Sequence, residues 1–192
     1  MANHQAIRQI TEPSGLWSRT HVLSHPCPVP PVSGVYGWYF RQLPYEFGVS
    51  GCLGYQGLTL LYVGISPKRP VSDDLRSRET LRRRIRTHYR GNADNSTLRL
   101  TLGVLLGLPL HATSSGRLTF GEGEARLSAW MTENAFVIWA PTEEPWLVEN
   151  ELMQKLDLPL NIKGNASHPF AAELAGMRRE ARRRAREAAG RL

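Results

Sequence analysis

Val35-Tyr36-Gly37-Trp38-Tyr39-Phe40 and Leu58-Thr59-Leu60-Leu61-Tyr62-Val63 decide the fold of this chain. Both are short runs of aromatic, β-branched and aliphatic residues, the side chains that suit a pleated, buried surface. Gly34 precedes the first run and Gly64 stops the second. Between them, residues 41–57 contain Pro44, Gly48, Gly51, Gly54 and Gly57, so they read as a loop or an irregular hairpin connection. The simplest pairing is an antiparallel hairpin that carries an insertion.

Beyond Gly64 the periodicity changes. A helix is expected from about Leu75 to Tyr89, capped by Asp73 or Asp74, whose charge suits the positive end. Leu81, Ile85 and Tyr89 repeat at i, i+4, i+8 and face the core. Arg84 and His88 share the adjacent face, and Arg82, Arg86 and Arg90 form a row toward solvent. Gly91 ends this helix. Ser96 caps another, in which Leu98, Leu102, Leu105 and Leu106 recur at helical spacing. Residues 107–127 include Pro109 and Gly116 and read as an insertion with a short strand at 117–120. A short helix at 128–134 and an apolar strand at 135–140 follow. Thr142 is the expected cap of a last helix, which carries Glu149 and Glu151 and is closed by Pro159 and Gly164. The order β, β, α, α, β, α predicts an α+β fold with a small, mainly antiparallel sheet of three strands flanked by helices. It is not the alternation of a doubly wound sheet.

The flanks differ in character. Residues 1–32 read as an extended arm, with Pro26, Pro28, Pro30 and Pro31 favouring a polyproline-like course. Residues 33–166 form the folded domain. Residues 167–192 are a basic tail: Met177 to Leu192 contains seven arginines and no aromatic residue. Phe170 to Leu174 are expected to pack back onto the core, whereas Met177 to Leu192 has helical propensity but too little apolar surface to fold by packing.

A chain of 192 residues suits one domain with tails. Lys and Arg number 24 against 17 Asp and Glu, a formal charge of +7. The surplus favours a polyanionic partner, and it concentrates at Arg76 to Arg90 and Arg178 to Arg191. No apolar run approaches the roughly 18 residues of a membrane span, so no membrane partner is expected. The first residues lack the basic start and apolar stretch of a secretory signal. Cys27 and Cys52 stand alone without a CxxC, as expected for free thiols in a cytoplasmic protein. No GxGxxG or P-loop pattern is present, so no nucleotide cofactor is expected.

Five segments, in order, resemble the GIY-YIG nuclease superfamily: Gly34-Val35-Tyr36, Tyr62-Val63-Gly64, Arg84-Ile85-Arg86-Thr87-His88, Glu149-Asn150-Glu151-Leu152-Met153 and Pro159-Leu160-Asn161. The resemblance covers about residues 33–163. It departs from the family in the 25 residues between Tyr36 and Tyr62, where a tight hairpin is usual. It implies a DNA endonuclease acting by a one-metal mechanism in repair, restriction, phage defence or a mobile element. An inactive binding module of the same fold and an RNA-directed nuclease are the alternatives.

The resemblance also implies roles. Tyr36 holds the attacking water and takes its proton, and Tyr62 orients the water or phosphate. Arg84 binds phosphate, His88 hydrogen-bonds Tyr36 or a phosphate oxygen, and Glu149 holds Mg²⁺ or Mn²⁺. Arg86, Gly64, Ser66 and Asn161 become nucleic-acid contacts. The residue types suit these tasks. A single carboxylate is enough for an ion that keeps most of its water, and a guanidinium forks across phosphate oxygens without losing its charge. A phenol with a pKa near 10 is a weak base at neutral pH, so a neighbouring cation is expected to lower it. Glu151 reads as a helix-surface charge. His4, His21, His25, His111 and His168 show no ligand spacing.

Overall fold

Every residue of the strand β1 (Gly34–Phe40) is buried, which requires a neighbour on each edge and a layer on each face. The computed structural model describes residues 2–69, 79–165 and 168–190 and supplies all four. Along one edge runs β3 (Leu58–Ser66), paired antiparallel as expected. Along the other runs β6 (Ala135–Pro141), also antiparallel. The sheet has four strands rather than the expected three, in the order β2-β3-β1-β6. The extra strand, β2 (Gly54–Tyr55), comes from the 41–57 insertion and pairs with the start of β3. A two-residue turn makes the pairing possible. Gln56 and Gly57 both take positive φ, 47° and 77°, the combination whose twist matches a tight hairpin.

Side chains of β1 divide between two layers. Tyr36, Trp38 and Phe40 enter a cluster with Leu61, Ile85, Tyr89, Leu102 and Leu174. Val35 and Tyr39 enter a second with Ile10, Leu60, Val148 and Leu152. The first layer is built by α2 (Arg19–Leu23), α3 (Leu81–Arg90), α4 (Thr97–Leu105), α5 (Gly123–Asn134) and α7 (Pro169–Ala189). The second is built by α1 (Ala2–Thr11) and α6 (Pro145–Lys155). A two-stranded sheet of β4 (His111–Ala112) and β5 (Leu118–Thr119) lies within residues 107–127, against α7. No helix among the described residues is long and apolar enough to cross a membrane.

The N-terminal segment is not an extended arm. Residues 2–11 are helical, with Ala6, Ile7 and Ile10 on a face that the sheet and α6 cover, and all three are buried. Tyr39 Oη donates to the Ile10 carbonyl at 2.8 Å, and Trp17 exchanges two 2.9 Å backbone hydrogen bonds with Val137. The proline-rich stretch is tied down as well. Val29 is fully buried, and Arg82, read as solvent-facing, donates from Nε to its carbonyl at 2.6 Å.

Helix starts also differ from expectation. Thr80 is the N-cap of α3, its hydroxyl accepting the Arg83 N–H, so the helix begins at Leu81. The expected caps Asp73 and Asp74 lie outside the described residues. Helix α6 starts at Pro145 rather than after Thr142, because proline fixes a helical φ and has no N–H to satisfy. The C-terminal segment packs on the core through Phe170 to Leu174, as expected, and also beyond Met177, through Ala185, where no packing was expected. Phe170, Ala171, Leu174 and Ala185 of α7 are buried, and Phe170 stacks on Phe47 with ring centres 4.7 Å apart. Small alanines let the helix lie close to its neighbours, which composition alone under-represents.

Candidate active site

Adjacent strands bring the two motif tyrosines to one place. Tyr36 on β1 lies directly across from Gly64 on β3, and Trp38 lies across from Tyr62. A Cβ at position 64 would stand 2.6 Å from Tyr36 Oη and 2.7 Å from Cζ. The phenol therefore lies flat over the glycine, which explains why the second motif ends in one. Gly64→Ala is expected to lower stability by about 1–3 kcal/mol through overpacking, because the obstacle is a buried ring held between strands. Urea unfolding of the variant measures this, and an unchanged midpoint would contradict the packing argument.

A line of hydrogen bonds runs inward from Tyr36. Its Oη is 2.9 Å from His88 Nε2. His88 Nδ1 is 2.7 Å from Ser96 Oγ, and Ser96 Oγ accepts the Arg99 N–H at 3.1 Å as the N-cap of α4. All of these side chains are buried. A buried hydroxyl proton needs an acceptor, and among these contacts only His88 Nδ1 offers one. Ser96 therefore donates to Nδ1, and Nε2 carries the ring proton and donates to Tyr36. Burial pushes the His88 pKa well down, and the nearby Arg84 and Arg99 charges add to this, so the ring is neutral. Arg99 closes the line from behind. It is fully buried, and its Nη2 meets Glu124 Oε2 at 2.6 Å.

Arg84, on the same face of α3 as His88, lies beside the Tyr36 phenol, close enough for its charge to act on it. Its Nη1 donates to the Asn95 carbonyl at 3.2 Å. The cation expected beside Tyr36 is thus present, yet the net effect on the phenol is the reverse of that expected. Burial, then the neighbouring Tyr62 and the Glu149 charge, raise the Tyr36 pKa far above its ordinary value, and Arg84 offsets only part of this. Tyr62 is raised too, by burial first and then Glu149. The charges of Arg84 and Arg178 and the neighbouring Tyr36 hydroxyl oppose that rise.

Glu149 comes from the opposite layer, on α6. Its carboxylate is close enough for its charge to act on both phenols. Burial raises its own pKa, partly countered by Lys163 and Lys68, and among the described residues it forms no ion pair or hydrogen bond. No group of three or more His, Cys, Asp or Glu gathers into a ligand cluster among the described residues.

Arg86 lines an open groove of about 770 Å³ along α3, with Arg83, Arg84, Arg90 and Asn95. Gly64 serves the packing of Tyr36. Ser66 is buried at the end of β3, its hydroxyl without a partner among the described residues. Asn161 is turned inward: its Oδ1 accepts the Val63 N–H and its Nδ2 donates to the Val63 carbonyl, both at 2.9 Å. It thus takes the place of a missing strand along the edge of β3. The Ser66 and Asn161 side chains are both buried. Sequence reasoning missed Ser96 and Arg99 as site residues and left Arg178 undistinguished within the basic C-terminal cluster. For Arg99 the available signal was a lone arginine three residues after a cap and among leucines.

Comparison with known proteins agrees with this geometry. Residues 34–180 match the family model described as the GIY-YIG catalytic domain. No curated protein and no solved structure matches the chain.

Proposed function

Because the chain belongs to the GIY-YIG catalytic-domain family, we propose that it is an endonuclease that hydrolyses DNA phosphodiester bonds with the help of one divalent ion. The supporting observation is that the Tyr36 phenol oxygen is hydrogen-bonded to His88, with Arg84, Tyr62 and Glu149 all within electrostatic reach. The formal charge of +7 and the arginine-lined groove beside Arg84 suit a polyanionic strand. The free thiols of Cys27 and Cys52 suit a cytoplasmic setting.

The donor set fits the ion that the family implies. Glu149 is a half-buried carboxylate with no ion pair among the described residues, and Mg²⁺ or Mn²⁺ needs only one or two carboxylates beside its waters. Glu149 is the residue that would hold it. When bound, the ion supplies positive charge for the departing oxygen.

The protein groups do the rest. Arg84 places a permanent charge against the scissile phosphate, where negative charge builds as water attacks. Tyr36 receives the proton of the attacking water. The His88 Nε2–H faces its oxygen, and the Arg84 charge beside it favours the phenolate form. Neutral His88, locked by Ser96, holds this oxygen in place without adding a second charge. Tyr62 orients the water or a phosphate oxygen.

The test is a cleavage assay with the purified protein on supercoiled plasmid DNA and on single-stranded RNA, with Mg²⁺ or Mn²⁺ and with chelator. Nicked or linear DNA that appears only with the ion is the expected result. A retarded but uncut plasmid would overturn the nuclease reading in favour of a binding module. Metal-dependent cutting of RNA alone would overturn the DNA assignment.

A further inference from the structure

The charges on α7 are distributed against what burial normally demands. Exposed Arg183 is clamped between Glu180 at 2.7 Å and Glu187 at 2.6 Å, and exposed Arg184 meets Glu180 at 2.6 Å. The half-buried pair Arg178 and Arg182 has no carboxylate or hydrogen-bond partner among the described residues. Arg178 Nε is buried and unpartnered. Buried charges are ordinarily paired, since desolvation costs several kcal/mol per ion. Like charges at i and i+4 also repel. Here the pairing goes to the arginines that need it least. The helix is not loose: Leu174 and Ala185, on either side of the pair, are buried in the main core. The unpaired guanidiniums are therefore held on a fixed backbone. They are also held near the site, because Tyr62 feels the charge of Arg178 from α7 as well as that of Arg84 from α3.

We propose that Arg178 and Arg182 form a phosphate-binding row for the substrate strand, with Arg178 beside Tyr62 taking the phosphate next to the scissile one and Arg182 a phosphate farther along. This rests on the nuclease reading and extends it to the C-terminal helix. Arg178 is then a substrate-binding residue, and α7 forms one wall of the nucleic-acid channel, with the arginine groove along α3 as another. The substrate completes the ion pairing that the free protein lacks, so removing the charge affects binding and stability in opposite directions.

The experiment compares Arg178→Gln, Arg182→Gln and Arg183→Gln. A fluorescein-labelled DNA duplex is titrated at several salt concentrations, and cleavage kinetics and thermal melting are measured on the same preparations. The expected result is a rise in Kd and KM of about tenfold for the first two variants. The slope of log Kd against log salt is expected to fall by about one for each arginine removed. Their melting temperatures stay equal to or above that of the unaltered protein, while Arg183→Gln leaves Kd, KM and salt slope unchanged. A merely structural arginine would give the opposite pattern, with lower melting and unaltered salt slope. Should Arg178→Gln fail to fold, Arg178→Lys and Arg182→Gln carry the test. If the unaltered protein cuts DNA while the Arg178 and Arg182 variants keep its KM and salt slope, the row is refuted and the nuclease reading stands. If the unaltered protein neither binds nor cuts, both fall.

Discussion

Glu149→Gln is expected to remove nearly all of the proposed metal-dependent cleavage while leaving the fold intact. The expected loss is about a thousandfold, ~4 kcal/mol of transition-state stabilisation, because the amide cannot hold the ion that would stabilise the leaving oxygen. Stability moves differently. The carboxylate is half-buried and without an ion pair among the described residues, and burial raises its pKa. A carboxyl group whose folded pKa is raised favours the native state when protonated, and that contribution is lost as pH rises through the folded pKa. At neutral pH the ionised side chain therefore weighs against folding, and its neutral isostere does not. The variant should unfold in urea at the same concentration as the parent or a slightly higher one. The parent should gain on the variant as pH falls through the carboxylate range. Loss of activity with retained stability is the mark of a group kept for chemistry. Full nicking activity in the purified variant would remove Glu149 from the mechanism, and with it the proposed one-metal reaction.

The parts of this molecule that were legible in the sequence share a physical character. β1, β3 and β6 are short apolar runs whose composition alone favours strands, and α3 shows its core stripe through Leu81, Ile85 and Tyr89. The Arg84–His88 spacing of four puts both side chains on one helix face, which local geometry guarantees. What stayed hidden depends on partners distant in sequence. β2 has only two residues, and its pairing depends on the Gln56–Gly57 turn rather than on a hydrophobic run. Helix α1 buries three small or medium apolar residues, too few to stand out from residues that precede a proline-rich stretch. Ser96 was legible as a helix cap but not as a partner of His88, because a hydroxyl that caps one helix and fixes a histidine tautomer on another is defined only by packing. Asn161 illustrates the reverse. Its motif position suggested a ligand contact, but the open edge of β3 at Val63 takes up both ends of its amide. A β-edge must be covered, and sequence does not reveal which side chain covers it.

Under the proposed mechanism Tyr36 sets the pH dependence of the reaction, and replacing it by phenylalanine should remove that dependence along with most of the activity. Its phenol pKa is raised, chiefly by burial, above the ordinary tyrosine value of about 10. Below its pKa the phenolate fraction grows tenfold per pH unit. If Tyr36 takes the water's proton, log kcat should climb with a slope near one from about pH 6 to about pH 9 without reaching a plateau. His88 cannot bend this line. Its pKa is pushed well below the usual histidine value, so the ring stays neutral across the window. Tyr36→Phe should lower kcat by about 10²–10⁴, the usual contribution of a positioned base, and leave a nearly flat profile. The same substitution strips the buried His88 Nε2–H of its acceptor. A destabilisation of about 1–3 kcal/mol should therefore accompany the kinetic loss, because a buried donor is left unmet. Measuring both in one series separates the two roles of the hydroxyl. A level profile for the unaltered enzyme, with kcat still lost in Tyr36→Phe, would make Tyr36 an anchor for His88 and assign the proton to another acceptor. A break near neutral pH would point to a base with an ordinary pKa, which Tyr36 in this setting does not have.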